Sequence, residues 1–578
     1  MATTTDRPDS APRPRHAPPR PPRRRVRRDG HPRPRTPPGL AERRLATFSL
    51  RAALLVFIGL AAIVAGALVL ALGLRGGEAP PATGAAELVP ANALLYLHVS
   101  TDPSRPAVGQ ALAVGRKLPA MPALVGAVTD RVGAMLGGSA VSVSFSRDIR
   151  PWLGREAALA VLDTPGPTAG SLVVLDVRNR ARARRFLFGA GARPEGAYHG
   201  VALLAQPSGT TLAFVRHYLV LGQVASVRQA IDVGAGRMPS LAASARYRRA
   251  AATEPDARIL DAYASVDGIR RALAPQSGLL GELGTLLDQP GLSAATIAVS
   301  PDSHGLQILV HRTLDPRLAS RSAHSAAFTP TLARVIPAGS ALLVDVRNLA
   351  ASAPKLLAFA AKAGVAGRIA PLLSRLGSGL AAQGVNLGQL LGMFGGETAI
   401  ALTPGQGASG PAPVIVTRTN AQTTVRALLA ELELPLSQLF APSGSGAGEV
   451  PQVSQTTVSG VAVRQLSVAP GLNLDYAVGH GLLVVSTGRT GISEVFRRAR
   501  SLDGAASLQS VVSDSPGRVG SLVFLDPSQL LRLGLRLGLI GGPREAALWP
   551  SAERIRAVAL ASWRGAEDTT TELQLQIP

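Results

Sequence analysis

The acidic residues that could perform chemistry include one pair that recurs within the chain. Glu156 and Glu397 each stand in the pattern G-x-E-x-A, within the matching segments WLGREAALAVL and MFGGETAIALT. Paired carboxylates are what hydrolytic general acid–base catalysis requires, so these two are the best candidate functional pair. The competing interpretation is a surface glutamate at a strand end in each copy, and equivalent positions need not lie close together.

Other catalytic and cofactor signatures are missing from the sequence. The chain has no Walker loop, no HExxH, no GxSxG and no calcium-loop spacing. Its nine histidines occur singly, without a pair at i+2, i+3 or i+4 to hold a metal. Cysteine is absent, which excludes disulfides, thiolate metal sites and cysteine nucleophiles. We therefore predict no metal, no cofactor and no enzymatic activity.

Short polar residues follow several apolar strands and precede helices. Their side-chain oxygens can accept hydrogen bonds from the free amides of a first helical turn, which stabilises each helix by about 1 kcal/mol. We expect capping, not catalysis, from these residues: Asp102, Asn179, Asp267, Asn348, Asn420 and Asp526.

A long uncharged segment near the N-terminus decides where the rest of the chain lies. Residues 52–74 hold 23 uncharged, mainly apolar positions, which as a helix extend about 34 Å, enough for a hydrocarbon layer of about 30 Å. A helix in the core of a soluble protein normally has a polar stripe, and this segment has none. The segment is also longer than the apolar region of a signal peptide. The sequence therefore predicts a single transmembrane anchor over 48–75.

Small residues recur along this predicted helix at spacings of three, four and seven. They are Gly59, Ala62, Gly66 and Gly73, and a face of small residues lets two helices approach closely. Homodimerisation through the anchor is one interpretation. The other is that alanine and glycine are simply abundant throughout this chain.

Arginines before the anchor predict its orientation. Residues 1–51 hold 14 arginines against four acidic residues, and Arg43, Arg44 and Arg51 lie close enough to the anchor to meet anionic headgroups. We expect a disordered cytoplasmic tail over 1–47 and an extracytoplasmic 76–578, at the plasma membrane. The tail has no interleaved aromatic residues, and the remainder is only modestly basic, so nucleic acid is not favoured as a partner.

The region beyond the anchor is an internal duplication. LVPANALLYLHV at Leu88 returns as VIPAGSALLVDV at Val335, an offset of 247, and Gly154 returns as Gly395. After a linker over 76–85, the copies are predicted over 86–318 and 331–578, joined by a linker over 319–330. Alternating apolar runs such as ALLYLHV and SLVVLDV predict strands, and a Pro-Asp-Ser-His-Gly turn predicts a hairpin. We expect two α+β domains with largely antiparallel sheets.

A family resemblance rests on the segment VPANALLYLHVSTDPSRPAVGQALAVGRKLP, which follows a basic tail and one anchor. In these features the chain resembles bacterial membrane-anchored proteins of the domain-of-unknown-function 3352 family. The resemblance implies an envelope-associated protein without an established activity, and no site residue is carried over.

These observations favour a non-enzymatic, single-pass membrane protein whose paired external domains form a binding or interaction module. Its partner would be an envelope polymer, a small apolar ligand or a protein, held in a cleft between the copies. One alternative is a cell-envelope hydrolase whose catalytic carboxylates are dispersed in sequence. Another is a cytoplasmic-facing adaptor in which the Arg/Pro tail makes the contacts.

Overall fold

The structure is a computed structural model that describes 80–119, 143–164, 169–273, 291–302, 305–319, 327–349, 392–403, 412–439, 453–469, 472–497, 500–512, 517–536 and 552–577, with 378, 381–382 and 550. The predicted tail over 1–47 and the predicted anchor over 48–75 lie outside these residues, and so do Arg43, Arg44, Arg51, Gly59, Ala62, Gly66 and Gly73. No helix in the part of the chain that the structure describes is long and apolar enough to cross a membrane.

Strands are the most numerous elements of the described chain. The first ten are β1 Ala93–Ser100, β2 Leu153–Leu162, β3 Gly170–Val177, β4 Arg193–Tyr198, β5 Val201–Ala205, β6 Thr211–Val215, β7 Tyr218–Gly222, β8 Leu260–Ser265, β9 Leu292–Pro301 and β10 Gly305–Leu314. The next ten are β11 Leu342–Arg347, β12 Glu397–Thr403, β13 Ala412–Arg418, β14 Val453–Val458, β15 Val461–Ala469, β16 Leu472–Gly479, β17 Leu482–Ser486, β18 Ser521–Leu525, β19 Ala557–Arg564 and β20 Asp568–Gln576.

Helices connect these strands. They are α1 Pro106–Arg116, α2 Arg180–Gly189, α3 Val224–Gly234, α4 Ala245–Ala251, α5 Gln422–Leu439, α6 Arg489–Arg497, α7 Ala506–Val512 and α8 Pro527–Arg536. Shorter turns are the 3-10 helices Gly84–Glu87, Leu241–Ala243, Leu332–Arg334 and Leu502–Gly504, the π-helices Phe145–Ile149 and Ile269–Leu273, and the α-helical turns Val266–Gly268 and Pro316–Ala319. The α+β class expected from the sequence is confirmed.

All twenty strands form one antiparallel sheet. Their spatial order is β4, β5, β6, β7, β3, β2, β1, β8, β9, β10, β20, β19, β18, β11, β12, β13, β17, β16, β15, β14. Counted outward from the β10–β20 pair, the second ten strands follow one another in the same order as the first ten. The two copies therefore meet edge to edge, with Gly305 opposite Gln576 and Thr313 opposite Asp568.

Helices cover both faces of the sheet in each copy. In the first copy, α1 and α2 bury Val108 and Leu187 with Leu97 of β1, whereas α3 and α4 bury Ile231 and Tyr247 against the other face. Side chains alternate between faces along a strand, so β1, which has helices on both sides, is buried at every position. The second copy has the same layers, with α6 and α7 on one face and α5 on the other.

Capping agrees with the sequence at some strand ends and differs at two. After β1, Asp102 accepts from the backbone N–H of Ser104, and α1 begins after Arg105 without a side-chain cap. Asn179 accepts from the backbone N–H of Arg182 at 3.0 Å, and Asp526 accepts from that of Gln529 at 3.0 Å. After β8 the expectation for Asp267 was wrong, because the cap is Ser265, which accepts from Gly268 N–H at 3.1 Å. The strand ends two residues earlier than its apolar pattern indicates, so the serine occupies the cap position.

Candidate functional site

Glu156 lies in β2 with its side chain turned into the core. Its residue is 2% exposed, and its carboxylate accepts hydrogen bonds from the backbone N–H of Ala85 at 3.2 Å and the hydroxyl of Tyr218 at 2.5 Å. Ala85 belongs to the 3-10 helix Gly84–Glu87, which leads into β1. The glutamate therefore ties the chain before β1 to the sheet, and it is not the surface residue of the competing interpretation.

His98 lies beside Glu156 and forms the centre of a buried ionic cluster. Strand register places it opposite Asp261 of β8, and its Nδ1 is 2.8 Å from an Asp261 carboxylate oxygen. Its Nε2 is 3.4 Å from Glu156. Arg258 extends the cluster, because its Nε lies 3.1 Å from Asp261 and 3.2 Å from Glu254.

The protonation states of this cluster follow from burial and neighbouring charge. Burial alone would lower the pKa of His98, but Asp261 and Glu156 together raise it to about 9. Burial would raise the pKa of both acids, yet the imidazolium holds each below its ordinary value. Burial, aided by Asp261, raises the pKa of Glu254 to about 9. At neutral pH two cations therefore face two carboxylates and one neutral acid, and the cluster carries no net charge.

Glu397 makes the equivalent contact in the second copy. It accepts from the backbone N–H groups of Thr331 and Leu332, the latter at 2.8 Å, and from the Thr331 hydroxyl at 2.5 Å. Arg418 Nε adds a contact at 3.0 Å. Leu332 lies 247 residues after Ala85, the offset found at the start of the repeat. Both glutamates therefore hold the 3-10 helix that precedes the first strand of their copy.

The partners of the two glutamates differ between the copies. Asp345 of β11 takes the place of His98, and Leu522 lies opposite it where Asp261 lies opposite His98. Burial, and then the charge of Glu397, raise the pKa of Asp345 to about 9. No N–H or O–H donor of the described residues reaches its carboxyl oxygens. Asp345 is thus a neutral acid whose own proton can bond to Glu397.

An imidazolium between two carboxylates could relay protons, but its position closes it to substrates. His98 is 0% exposed and Asp261 2% exposed, and donors of the chain itself occupy Glu156. Glu156 and Glu397 are not brought together, since nine strand-to-strand steps separate β2 from β12, about 43 Å along the sheet at about 4.8 Å per step. They cannot act on one bond.

An open groove lies within the second copy, between α5 and the strands β15 and β16. Its volume is about 400 Å³, and its polar lining includes Gln422, Arg426, Arg464, Tyr476 and His480. Arg426 donates to the carbonyl of Val478 at 3.0 Å. Arg464 lies 3.0 Å from Glu433. The groove presents cationic groups at its surface, and it lies away from the seam between the copies.

Metal binding has no support in the described ranges, which contain no group of three His, Asp or Glu side chains able to hold a metal ion. The ionic cluster has the right residue types, but its carboxylates face His98 and Arg258 instead of one common point.

The sequence contained one signal for the cluster that motif searches do not use. The offset of 247 aligns His98 with Asp345, so an ionisable residue stands in the middle of the first apolar strand in both copies. Asp261 and Tyr218 lie 163 and 62 residues from their partners, and no local pattern connects residues at such distances.

Comparisons with known proteins give a family and no activity. No curated protein matches the chain. Among solved structures, crystal form III of TP0453 is 11% identical and aligns over 42% of this chain and 88% of its own, with a TM-score of 0.25. Crystal form I is 10% identical over 40% and 79%, with a TM-score of 0.23; likenesses at this level support no functional argument. The family described as "Protein of unknown function (DUF3352)" matches residues 50–577, and the chain belongs to that family.

Proposed function

We propose that the protein is a non-enzymatic, single-pass protein of the plasma membrane whose duplicated portion is an extracytoplasmic interaction module. The observation that carries the proposal is what the two copies share. Both use a glutamate, buried in the first copy and part-buried in the second, to hold the 3-10 helix before the first strand, at Ala85 and at Leu332. They do not share the acid–base partner, which is His98 in one copy and Asp345 in the other.

Chemistry at these glutamates would require a partner suited to proton transfer in each copy. A fixed imidazolium and a neutral carboxylic acid are both proton donors at neutral pH, but His98 and Asp345 are each 0% exposed and so have no access to a substrate. Both do satisfy the requirement that a buried carboxylate have a partner. Selection for a stable fold explains both arrangements, and selection for catalysis explains neither.

The groove beside α5 supports a binding role in the second copy. Arg426 and Arg464 line it together with the ring of Tyr476. Glu433 pairs with Arg464 and accepts from the Tyr476 hydroxyl, so Arg426 is the main cationic group that the groove offers to a ligand. Such a lining suits a polar or anionic group of an envelope polymer or protein better than a small apolar ligand. The anchor over 48–75 would hold this surface outside the cell, at the membrane.

Carboxylate labelling of the folded, full-length chain tests the proposal. A water-soluble carbodiimide with an amine nucleophile, read by mass spectrometry, is expected to modify the exposed Glu87 and Glu195. It should modify Glu156 and Glu397 at no more than about one tenth of that rate, since only local opening exposes them. The chain unfolded in urea is the control, in which all four react alike. Rapid labelling of Glu156 and Glu397 in the folded chain would mean that solvent reaches them, and would favour a hydrolase.

A further inference from the structure

The two outermost strands of the sheet are equivalent in fold, but they differ in the edge that pairs with no described strand. β4 contains Pro194, and its pairing with β5 shifts register between Pro194 and Gly196; it also carries Arg193 and Glu195. Proline, bulges and charges are the devices by which proteins prevent an edge strand from pairing with another chain. β14 reads Val-Ser-Gln-Thr-Thr-Val, with none of these devices.

The hairpin geometry fixes which backbone groups of β14 face outward. The turn after β14 has positive φ at both central residues, 50° at Ser459 and 78° at Gly460, as a type I′ turn requires. Such a turn is closed by a hydrogen-bonded pair, here Val458 and Val461. Bonded and non-bonded pairs then alternate along the strands, so the N–H and C=O groups of Thr457, Gln455 and Val453 point away from β15.

The first copy has a proline at the centre of this outward row. Gln455 lies opposite Arg464, which is the third residue after Val461, the first residue of β15. Pro194 lies opposite Leu204, three residues after Val201, in the matching place. β4 therefore lacks a donor where β14 presents one. Among the described residues, β14 pairs with β15 alone.

We propose that β14 pairs antiparallel with β14 of a second copy of this chain, about a twofold axis at Gln455. Outward-facing residues must lie opposite one another, so Gln455 meets Gln455 of the second copy, and Val453 meets Thr457. Ser454 then meets Thr456, a pairing of hydroxyl side chains that stabilises antiparallel strands.

Two observations identify the occupant as a second copy of the chain. A charged residue at the centre of a twofold strand pair lies opposite the same charge in the second copy and is repelled by it. β14 has no charged residue to cause such repulsion. The chain also already joins two copies of this fold by antiparallel edge pairing, at β10 and β20, over nine residue pairs. The inference rests on the proposed function, because it names the partner of the interaction module.

Disulfide trapping tests this pairing, and the absence of native cysteine removes background. The full-length Gln455→Cys variant, purified in detergent and mildly oxidised, is expected to form a covalent dimer, because Cα atoms of opposed residues lie about 5.5 Å apart, within disulfide range. Ala197→Cys, exposed on the equivalent β4, is the matched control and is expected to remain monomeric. Equal cross-linking of both variants would overturn the proposal.

A second variant keeps the test independent of cysteine chemistry. Gln455→Pro gives β14 the residue of β4, and it removes no bond to β15 because that N–H faces outward. It is expected to convert a dimer to a monomer in light scattering, with an unchanged circular dichroism spectrum. Thr457→Lys is the alternative if Gln455→Pro fails to fold. A dimer that survives both changes but is lost in Gly66→Leu would assign self-association to the anchor and overturn the proposal. So would a disulfide from Gln455→Cys to a different protein without a self-dimer. Carboxylate labelling is insensitive to dimerisation, so either idea can fail alone.

Discussion

Replacing Asp345 by asparagine should stabilise the protein at neutral pH. Burial and the neighbouring Glu397 raise the pKa of Asp345 from its ordinary 3.8 to about 9, so the folded chain holds this carboxyl protonated at pH 7 while the unfolded chain ionises it. At about 1.4 kcal/mol per pH unit, taking up that proton on folding costs about 4 kcal/mol at pH 7. An amide requires no proton and can donate to Glu397 in the same place.

The expected net gain is smaller than this cost. An amide in this pocket leaves part of its hydrogen-bonding capacity unmet, which costs about 1–3 kcal/mol, so Asp345→Asn should stabilise by about 2 kcal/mol. For a cooperative unit of about 150–250 residues, this raises Tm by about 4–8 °C. The gain should shrink as pH falls and reverse below pH 3.8, where the carboxyl is protonated whether the chain is folded or not and only the cost of the amide remains, and it should grow as pH rises towards 9.

Thermal unfolding followed by tryptophan fluorescence measures the effect, since Trp563 lies in β19 of the same copy. Asp503→Asn is the matched control, because Asp503 is a half-exposed carboxylate of that copy, 3.7 Å from Arg334, and its change should leave Tm within about 1 °C. A Tm that falls in Asp345→Asn at pH 7, or rises equally at pH 4 and pH 7, would refute the assignment of a neutral acid.

Three further outcomes are expected. His98→Leu should destabilise by about 3–5 kcal/mol, because it leaves buried Glu156 without its cation and Asp261 with Arg258 alone. His98→Leu/Asp261→Leu, in which the second change imitates Leu522 of the second copy, should recover about half of that loss, as measured by calorimetry. The folded-state pKa of His98, about 9, exceeds its ordinary 6.5, so its contribution is full below pH 6.5, declines between 6.5 and 9 and is lost above that; the Tm gap between wild type and the double variant should therefore narrow from pH 6 to pH 9.5, and a constant gap would contradict the charge assignment. On intact cells, a membrane-impermeant maleimide should label a Thr253→Cys chain, exposed in the first copy, and spare a Thr4→Cys chain; the reverse pattern would exclude the proposed topology.

Local patterns were sufficient for the elements of the fold. Alternating apolar runs gave strands such as β1 and β3, and the position of Asn179 after β3 gave a real cap. The offset between the copies also showed that Glu156 and Glu397 are equivalent. These features depend on neighbouring residues or on comparison of the chain with itself, and both are visible in the linear sequence.

The sequence did not predict which distant strands pair with one another or in what register. The pairing of His98 with Asp261 joins strands 163 residues apart, and the pairing of β10 with β20 joins the two copies into one sheet. Alternation shows that a strand has a buried face, but it does not name the neighbour or the register, because many apolar strands satisfy the same pattern.

The sequence by itself determined a duplicated α+β chain, the equivalence of its two glutamates and the contrast between the proline of β4 and the uncharged β14. Only the tertiary structure decided that the glutamates make structural contacts within the chain, that His98 is held as a cation and Asp345 as a neutral acid, and that β14 is an outermost strand of the sheet formed by the described residues. The physical reason is that protonation and exposure depend on what packs around a side chain, and strands distant in sequence supply those neighbours.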